Sequence, residues 1–202
     1  MRVSAIAFFD FDGTISNRDS FLLFVRKTAG LVQFAGKMGL LAPRIARFIL
    51  GLYSNHDLKE DVLRSFFKGW TETQLEEAAR HFCRTDMADI LRPAALTRLA
   101  WHKGQGHRVV VVSATPEIIL APWCEKAGFD LIATRMEVVG GRFTGRIEGE
   151  NCREMVKIDR IREKYRLEKY DQIFAYGDTE GDLPMLSLAD QAFYRPFRGK
   201  EA

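Results

Sequence analysis

The sequence predicts a doubly wound α/β protein, a parallel sheet flanked by helices, with a helical subdomain inserted after the first strand. Three observations carry this. An apolar opening run ends at Asp10, and from residue 93 onward strand and helix signals alternate. Residues 108–112 and 173–176 are short continuous apolar runs of the kind a parallel sheet buries on both faces. Between residues 20 and 90 the signal is helical throughout. The expected division is a core of residues 1–15 and 93–202 and a helical cap of residues 16–92.

Residues 3–9 form the first expected strand, which runs into Asp10-Phe11-Asp12-Gly13-Thr14. Side chains two apart on an extended strand point the same way, so Asp10 and Asp12 are expected to converge where Gly13 lets the chain turn. Like charges that close repel. A divalent cation, or a proton shared with a substrate, would relieve them; the plainer account is a turn whose carboxylates cap backbone amides.

In the cap, residues 57–67 place Leu58, Val62, Leu63, Phe66 and Phe67 on one helix face. Thr71-Glu72-Thr73-Gln74 is a capping box for a helix reaching about Arg84. Pro93 starts a helix that ends near Gly104 and Gly106. The strand at 108–112 follows and ends at Ser113-Ala114-Thr115-Pro116. A helix over 117–127 closes at Gly128, and a short strand covers 131–133. Residues 137–144 read as a hairpin turning on Gly140-Gly141, and 154–165 as an amphipathic helix. The strand at 173–176 runs into Gly177-Asp178, a helix is expected over 184–188, and residues 192–194 suit a last strand.

With 202 residues and a net charge of +3, the chain is an ordinary globular sequence with no overall bias toward nucleic acid. Cys83, Cys124 and Cys152 lack metal-ligand spacing and read as incidental thiols of a reducing compartment. The opening apolar run is too short for a signal peptide, and no uncharged run reaches the ~18 residues a spanning helix needs. A cytoplasmic location is the expectation. One segment is unusual. From Ser20 to His56 there is no Asp or Glu, while Arg26, Lys27, Lys37, Arg44 and Arg47 sit among apolar residues. Such a run suits either peripheral contact with an anionic membrane or a lid over the active site. Pro43 is expected to kink or separate helices there.

Ligands of open α/β sheets gather at the carboxyl ends of strands. Three strands here end in suggestive residues: Asp10 and Asp12; Ser113; and Gly177-Asp178-Thr179-Glu180-Gly181-Asp182. Taken singly, Ser113 reads as a helix cap, Gly177-Asp178 as a turn, and Lys157 as a solvated helix residue. Together they fit phosphoryl transfer. A carboxylate can attack phosphorus, a hard cation such as Mg²⁺ takes carboxylate oxygens, and a hydroxyl, backbone amides and a lysine can hold phosphoryl oxygens.

In these motifs the sequence resembles the haloacid dehalogenase-like hydrolases, and within them the phosphoserine-phosphatase-like branch (subfamily IB) with a helical cap. The matching residues are Asp10-Phe11-Asp12-Gly13-Thr14, Ser113-Ala114-Thr115, Lys157 and Gly177-Asp178-Thr179-Glu180-Gly181-Asp182, with Gly128-Phe129-Asp130 through Arg142-Phe143-Thr144-Gly145. The resemblance implies a Rossmann-like core and a Mg²⁺-dependent phosphomonoester phosphatase working through an aspartyl-phosphate. Asp10 would be nucleophile and metal ligand. Asp12 would be the general acid and base, and would bind metal through its backbone carbonyl. Ser113, Ala114 and Lys157 would hold the phosphoryl group. Asp178 would bind metal directly, and Asp182 would do so through water or orient Lys157. Dehalogenases proper lack a second acid, so Asp12 favours a phosphatase. Asp19 stands where phosphoserine phosphatases read the substrate amine; a helix cap at Asp19 or Ser20 is the competing account. The expected partner is a small phosphorylated substrate. A phosphatidylglycerophosphate phosphatase at the inner membrane face and a phosphotransferase remain as alternatives.

Overall fold

A computed structural model of the chain describes residues 5–198. The first strand, β1, is Ile6–Phe9; residues 3 and 4 of the expected strand lie outside the described residues. Four cap helices follow: α1 Ser20–Ala29, α2 Leu31–Ile49, α3 Asn55–Phe67 and α4 Glu72–Thr85. The core resumes with α5 Pro93–Gly104, β2 Arg108–Pro116, α6 Glu117–Ala127 and β3 Asp130–Thr134. A hairpin of β4 Met136–Val139 and β5 Arg142–Ile147 precedes α7 Met155–Lys164, β6 Ile173–Gly177, α8 Leu183–Leu186 and β7 Gln191–Tyr194.

The main sheet has the order β3-β2-β1-β6-β7, with every neighbouring pair parallel. Its centre is covered on both faces. Ala7, Phe9, Val111 and Tyr176 face one apolar cluster, while Ile6, Phe8, Val110 and Ala175 face another. That is why these strands read as unbroken apolar runs. Central β1 pairs with β2 and β6, with Phe9 beside both Val111 and Tyr176. This register brings the ends of three strands, and so Asp10, Ser113 and Asp178, to one edge of the sheet.

The cap is held by apolar faces meeting around Phe24, Phe67 and Phe82, whose rings lie 5.5–5.7 Å apart. Its helices start on side-chain caps. Asp19 accepts from the Leu22 amide, Ser54 accepts from Asp57, and the expected Thr71/Gln74 box makes both of its bonds. Pro43 does not break the chain as expected. It sits inside α2, where Pro43 and Gly39 both face solvent, so water can take the carbonyl that loses its helical partner. The break falls at Gly30 instead. Three cations of the acid-free run have partners within the cap: Lys27 with Asp86 at 2.5 Å, Arg44 with Asp61 at 3.2 Å and Lys37 with the Ser65 carbonyl at 2.6 Å.

Two core elements also differ from expectation. The last helix is a single turn, because the chain tightens into three-residue turns from Leu188 to Met185 and from Ala189 to Leu186. Strand β2 runs on to Pro116, with a register shift against β3 between Ser113 and Pro116. Among the described residues, no helix is long and apolar enough to cross a membrane.

The hairpin leaves the main sheet and lies against the cap. Gly69 donates to Phe143 at 2.8 Å, and Phe143 donates to Trp70 at 2.9 Å. Gly145 sits at φ +82°, and a Cβ there would fall 2.4 Å from the Arg64 Cα on α3. Gly145→Ala therefore combines left-handed strain with a backbone collision, and should cost about 2–3 kcal/mol. A denaturant midpoint equal to wild type would refute this close approach.

Candidate active site

The three converging strand ends border a cavity of about 440 Å³ that cap residues close from the other side. Its floor is built around Asp10. The Asp10 amide donates to the Tyr176 carbonyl at 2.9 Å, and its carboxylate accepts from Lys157 Nζ at 2.7 Å. Lys157 projects from α7 and donates equally to Asp182 Oδ1, at 2.6 Å. The other Asp182 oxygen accepts from the amides of Asp178 and Thr179 at 3.1 and 3.0 Å, which anchors it. Asp178 accepts from the Thr14 hydroxyl at 3.3 Å and pairs with Arg198. The carboxylates of Asp10, Asp178 and Asp182 each offer an oxygen, and these lie within 4.8 Å of one another.

Gly13 makes this packing possible. It adopts φ +87°, and a Cβ there would lie 2.4 Å from Asp178 Oδ2. Any side chain would push Asp178 away from Asp10.

Lys157, which taken singly reads as a solvated helix residue and by resemblance as a holder of the phosphoryl group, is buried, because α7 aims it between two carboxylates. One expectation needs correction. Asp10 and Asp12 do not converge on one spot. The strand ends at Phe9, and a tight turn over residues 11–15 sends the two side chains to separate partners. Asp12 accepts from Thr115 Oγ1 at 2.6 Å and from the Ser20 amide at 2.8 Å. Its carboxylate stands outside the three-acid group. Both acids nevertheless line the cavity.

Ser113 and Ala114 border the cavity too, but Ser113 is a strand residue rather than a helix cap. Helix α6 starts only at Glu117, and Ser113 Oγ takes up the Thr115 amide at 3.0 Å. Asp19 lines the cavity and also caps α1, so its carboxylate already accepts the Leu22 amide at 2.8 Å.

The structure adds residues the sequence reading passed over. Lys59 reaches from α3 into the cavity and donates to the Ala114 carbonyl at 2.7 Å and to Asn151 Oδ1 at 2.9 Å. It thereby ties cap to core. Its signal was visible: Lys59 precedes Val62, Leu63 and Phe66 at helical spacing, so a lysine stands on the apolar face. Asn151, in a loop, carries no comparable pattern; Thr115, the partner of Asp12, stands in the Ser113-Ala114-Thr115 motif, which does not state its role.

Burial dominates the electrostatics. It raises the Asp10 carboxyl to about 7, against the pull of Lys157. Burial, helped by the charge of Asp19, raises Asp12 as well. It lowers Lys59 to about 8, while Asp12 and Asp19 oppose the shift. At Lys157 burial is outweighed, and Asp10 and Asp182 hold the ammonium above its ordinary range. Burial would also raise Asp182, but Lys157 and the two amides keep it below the usual carboxylate value.

The donor set fits a hard divalent cation. Three buried carboxylates face one buried ammonium and the partly exposed Arg198 guanidinium on Asp178, and oxygen is the only ligand type on offer. A further positive charge beside Asp10 would favour its ionised form.

Comparison with known proteins agrees with this picture. The family model described as haloacid dehalogenase-like hydrolase matches residues 7–187. Protein CicA of Caulobacter vibrioides is 38% identical over 96% of this chain and 87% of its own length. A probable phosphatase of Mycobacterium tuberculosis is 32% identical over 100% of this chain and 73% of its own. Among solved structures, a phosphoserine phosphatase held as an analogue of its phospho-aspartyl intermediate superposes with a TM-score of 0.64. It covers 94% of this chain and 84% of that one; at 22% identity it shows a shared fold.

Proposed function

The chain belongs to the haloacid dehalogenase-like hydrolases, and from that we propose that it is a Mg²⁺-dependent phosphomonoester phosphatase acting through a phosphorylated Asp10. The observation that carries this is the separation of a buried acid, Asp10, and a partly buried one, Asp12, in one cavity. Asp10 is held by Lys157, and Asp12 by Thr115 and Ser20. One acid is thus placed to attack and the other to move a proton.

In the first step an Asp10 oxygen forms a bond to phosphorus as the bond to the ester oxygen breaks, and Asp12 gives that oxygen its proton. In the second, water attacks the phosphoryl group, Asp12 takes the water's proton, and inorganic phosphate leaves with Asp10 restored. Lys157 and Ser113 hold phosphoryl oxygens, and Asp182 keeps Lys157 in place. Mg²⁺, held by Asp10, Asp178, the Asp12 backbone carbonyl and, through water, Asp182, would neutralise charge on the phosphoryl oxygens. Burial suits Asp12 to its task, since a raised carboxyl carries a proton more readily. Substrates are expected to be small phosphate esters. Lys59 and Asp19, which flank the cavity, are placed to sort their leaving groups.

The test is leaving-group dependence. Asp12→Ala should lose roughly 10² to 10⁴ in rate on an alkyl phosphate and far less on a nitrophenyl phosphate, which departs without a proton. Equal losses on both would argue against Asp12 as the acid. Phosphate release without any added acceptor separates hydrolysis from phosphotransfer.

A further inference from the structure

Helix α2 presents an almost uncovered outer face. Of its 19 residues only Leu41 is fully buried. Leu31 is 71% exposed, Val32 88%, Leu40 82% and Ile49 76%, and Leu50 and Leu52 extend the patch beyond the helix. Val32, Gly36, Gly39, Pro43 and Ala46 lie on the side opposite Phe34, Leu41 and Ile45, which pack inward. Single exposed aliphatics are ordinary, but this many on one helix and the turn after it, spread around the helix from Leu40 on one side through Val32 to Leu31 and Ile49 on the other, are not.

Charge narrows the choice of occupant. These aliphatics lie within the acid-free run, and Arg26 and Arg47 are exposed there too. Among the described residues neither pairs with a carboxylate; Arg47 lies over the Tyr53 ring at 5.5 Å. A second copy of the chain would bring cations to cations with no acid between them. An anionic lipid surface would meet both the aliphatics and the guanidinium groups.

We propose that the outer face of α2 docks on anionic phospholipid bilayers. This goes beyond the phosphatase reading and does not depend on it. The test is co-sedimentation with vesicles of phosphatidylcholine, alone or mixed with phosphatidylglycerol, at low and high salt. The comparison is the double variant Val32→Glu/Ile49→Glu. Both positions are exposed, and an unchanged melting curve verifies the fold. Wild type should pellet with the mixed vesicles at low salt and be released by salt, with the variant at least about tenfold weaker. Wild type left in the supernatant with mixed vesicles at low salt overturns the proposal, and so does equal pelleting of the variant. A dimer in equilibrium sedimentation that the same variant splits would assign the face to a second copy instead.

Discussion

Asp10→Asn is expected to lower turnover by at least about 10³-fold while leaving the chain folded. The amide cannot attack phosphorus, and it is a poorer ligand for a cation. The fold should hold because its strand is fixed by other groups. β1 keeps its pairing with β2 and β6, and Lys157 keeps Asp182 at 2.6 Å. Burial already disfavours the ionised Asp10 carboxylate, so a neutral isostere removes a charge that was costly to bury. Its melting temperature without added cation should equal or exceed that of wild type. Phosphate release within tenfold of wild type, from protein free of contaminating phosphatase, would refute the nucleophile assignment. A variant that is inactive because it has unfolded would show in the melting curve.

The backbone of this site was legible before any coordinates because strand ends in a parallel sheet are marked by composition. Apolar runs stop abruptly at Asp10, Ser113 and Gly177-Asp178, and the sheet order then places those ends side by side. What sequence could not give was the direction of side chains after the strands stop. The period-two rule for Asp10 and Asp12 holds only while the chain stays extended, and the turn at residues 11–15 cancels it. Lys157 was legible only through the motif. A lysine in a mixed-charge helix usually faces water; the resemblance set it beside the phosphoryl group with Asp182, and the packing of α7 adds its bond to Asp10. Pro43 left two outcomes open, a kink or a separation; it does not separate helices, because the carbonyl it frees faces solvent, and exposure is not stated by a local pattern. The charge oddity of Ser20–His56 was legible as composition, yet three of its five cations turn out to serve the cap's own acids and carbonyls.

Removing divalent cation should abolish phosphatase activity, with Mg²⁺ restoring it and Ca²⁺ doing so poorly. The reason lies in the three carboxylates gathered within 4.8 Å, one of which must also attack. A small ion with near-octahedral demands holds Asp10 at short range, whereas Ca²⁺ takes more oxygens at longer distances and would misplace it. Stability supplies a readout independent of turnover. Mg²⁺ present at about 100 times its dissociation constant should stabilise the fold by about 2.7 kcal/mol. For a chain of this length that is a rise of roughly 5–10 °C in melting temperature. Asp178→Asn should lose most of that rise, because it removes a buried ligand without touching the Lys157 bonds to Asp10 and Asp182. Undiminished activity in excess chelator would sink the metal assignment and the role of Asp178 with it. A full Mg²⁺-dependent rise in Asp178→Asn would keep the metal but move it elsewhere among the acids.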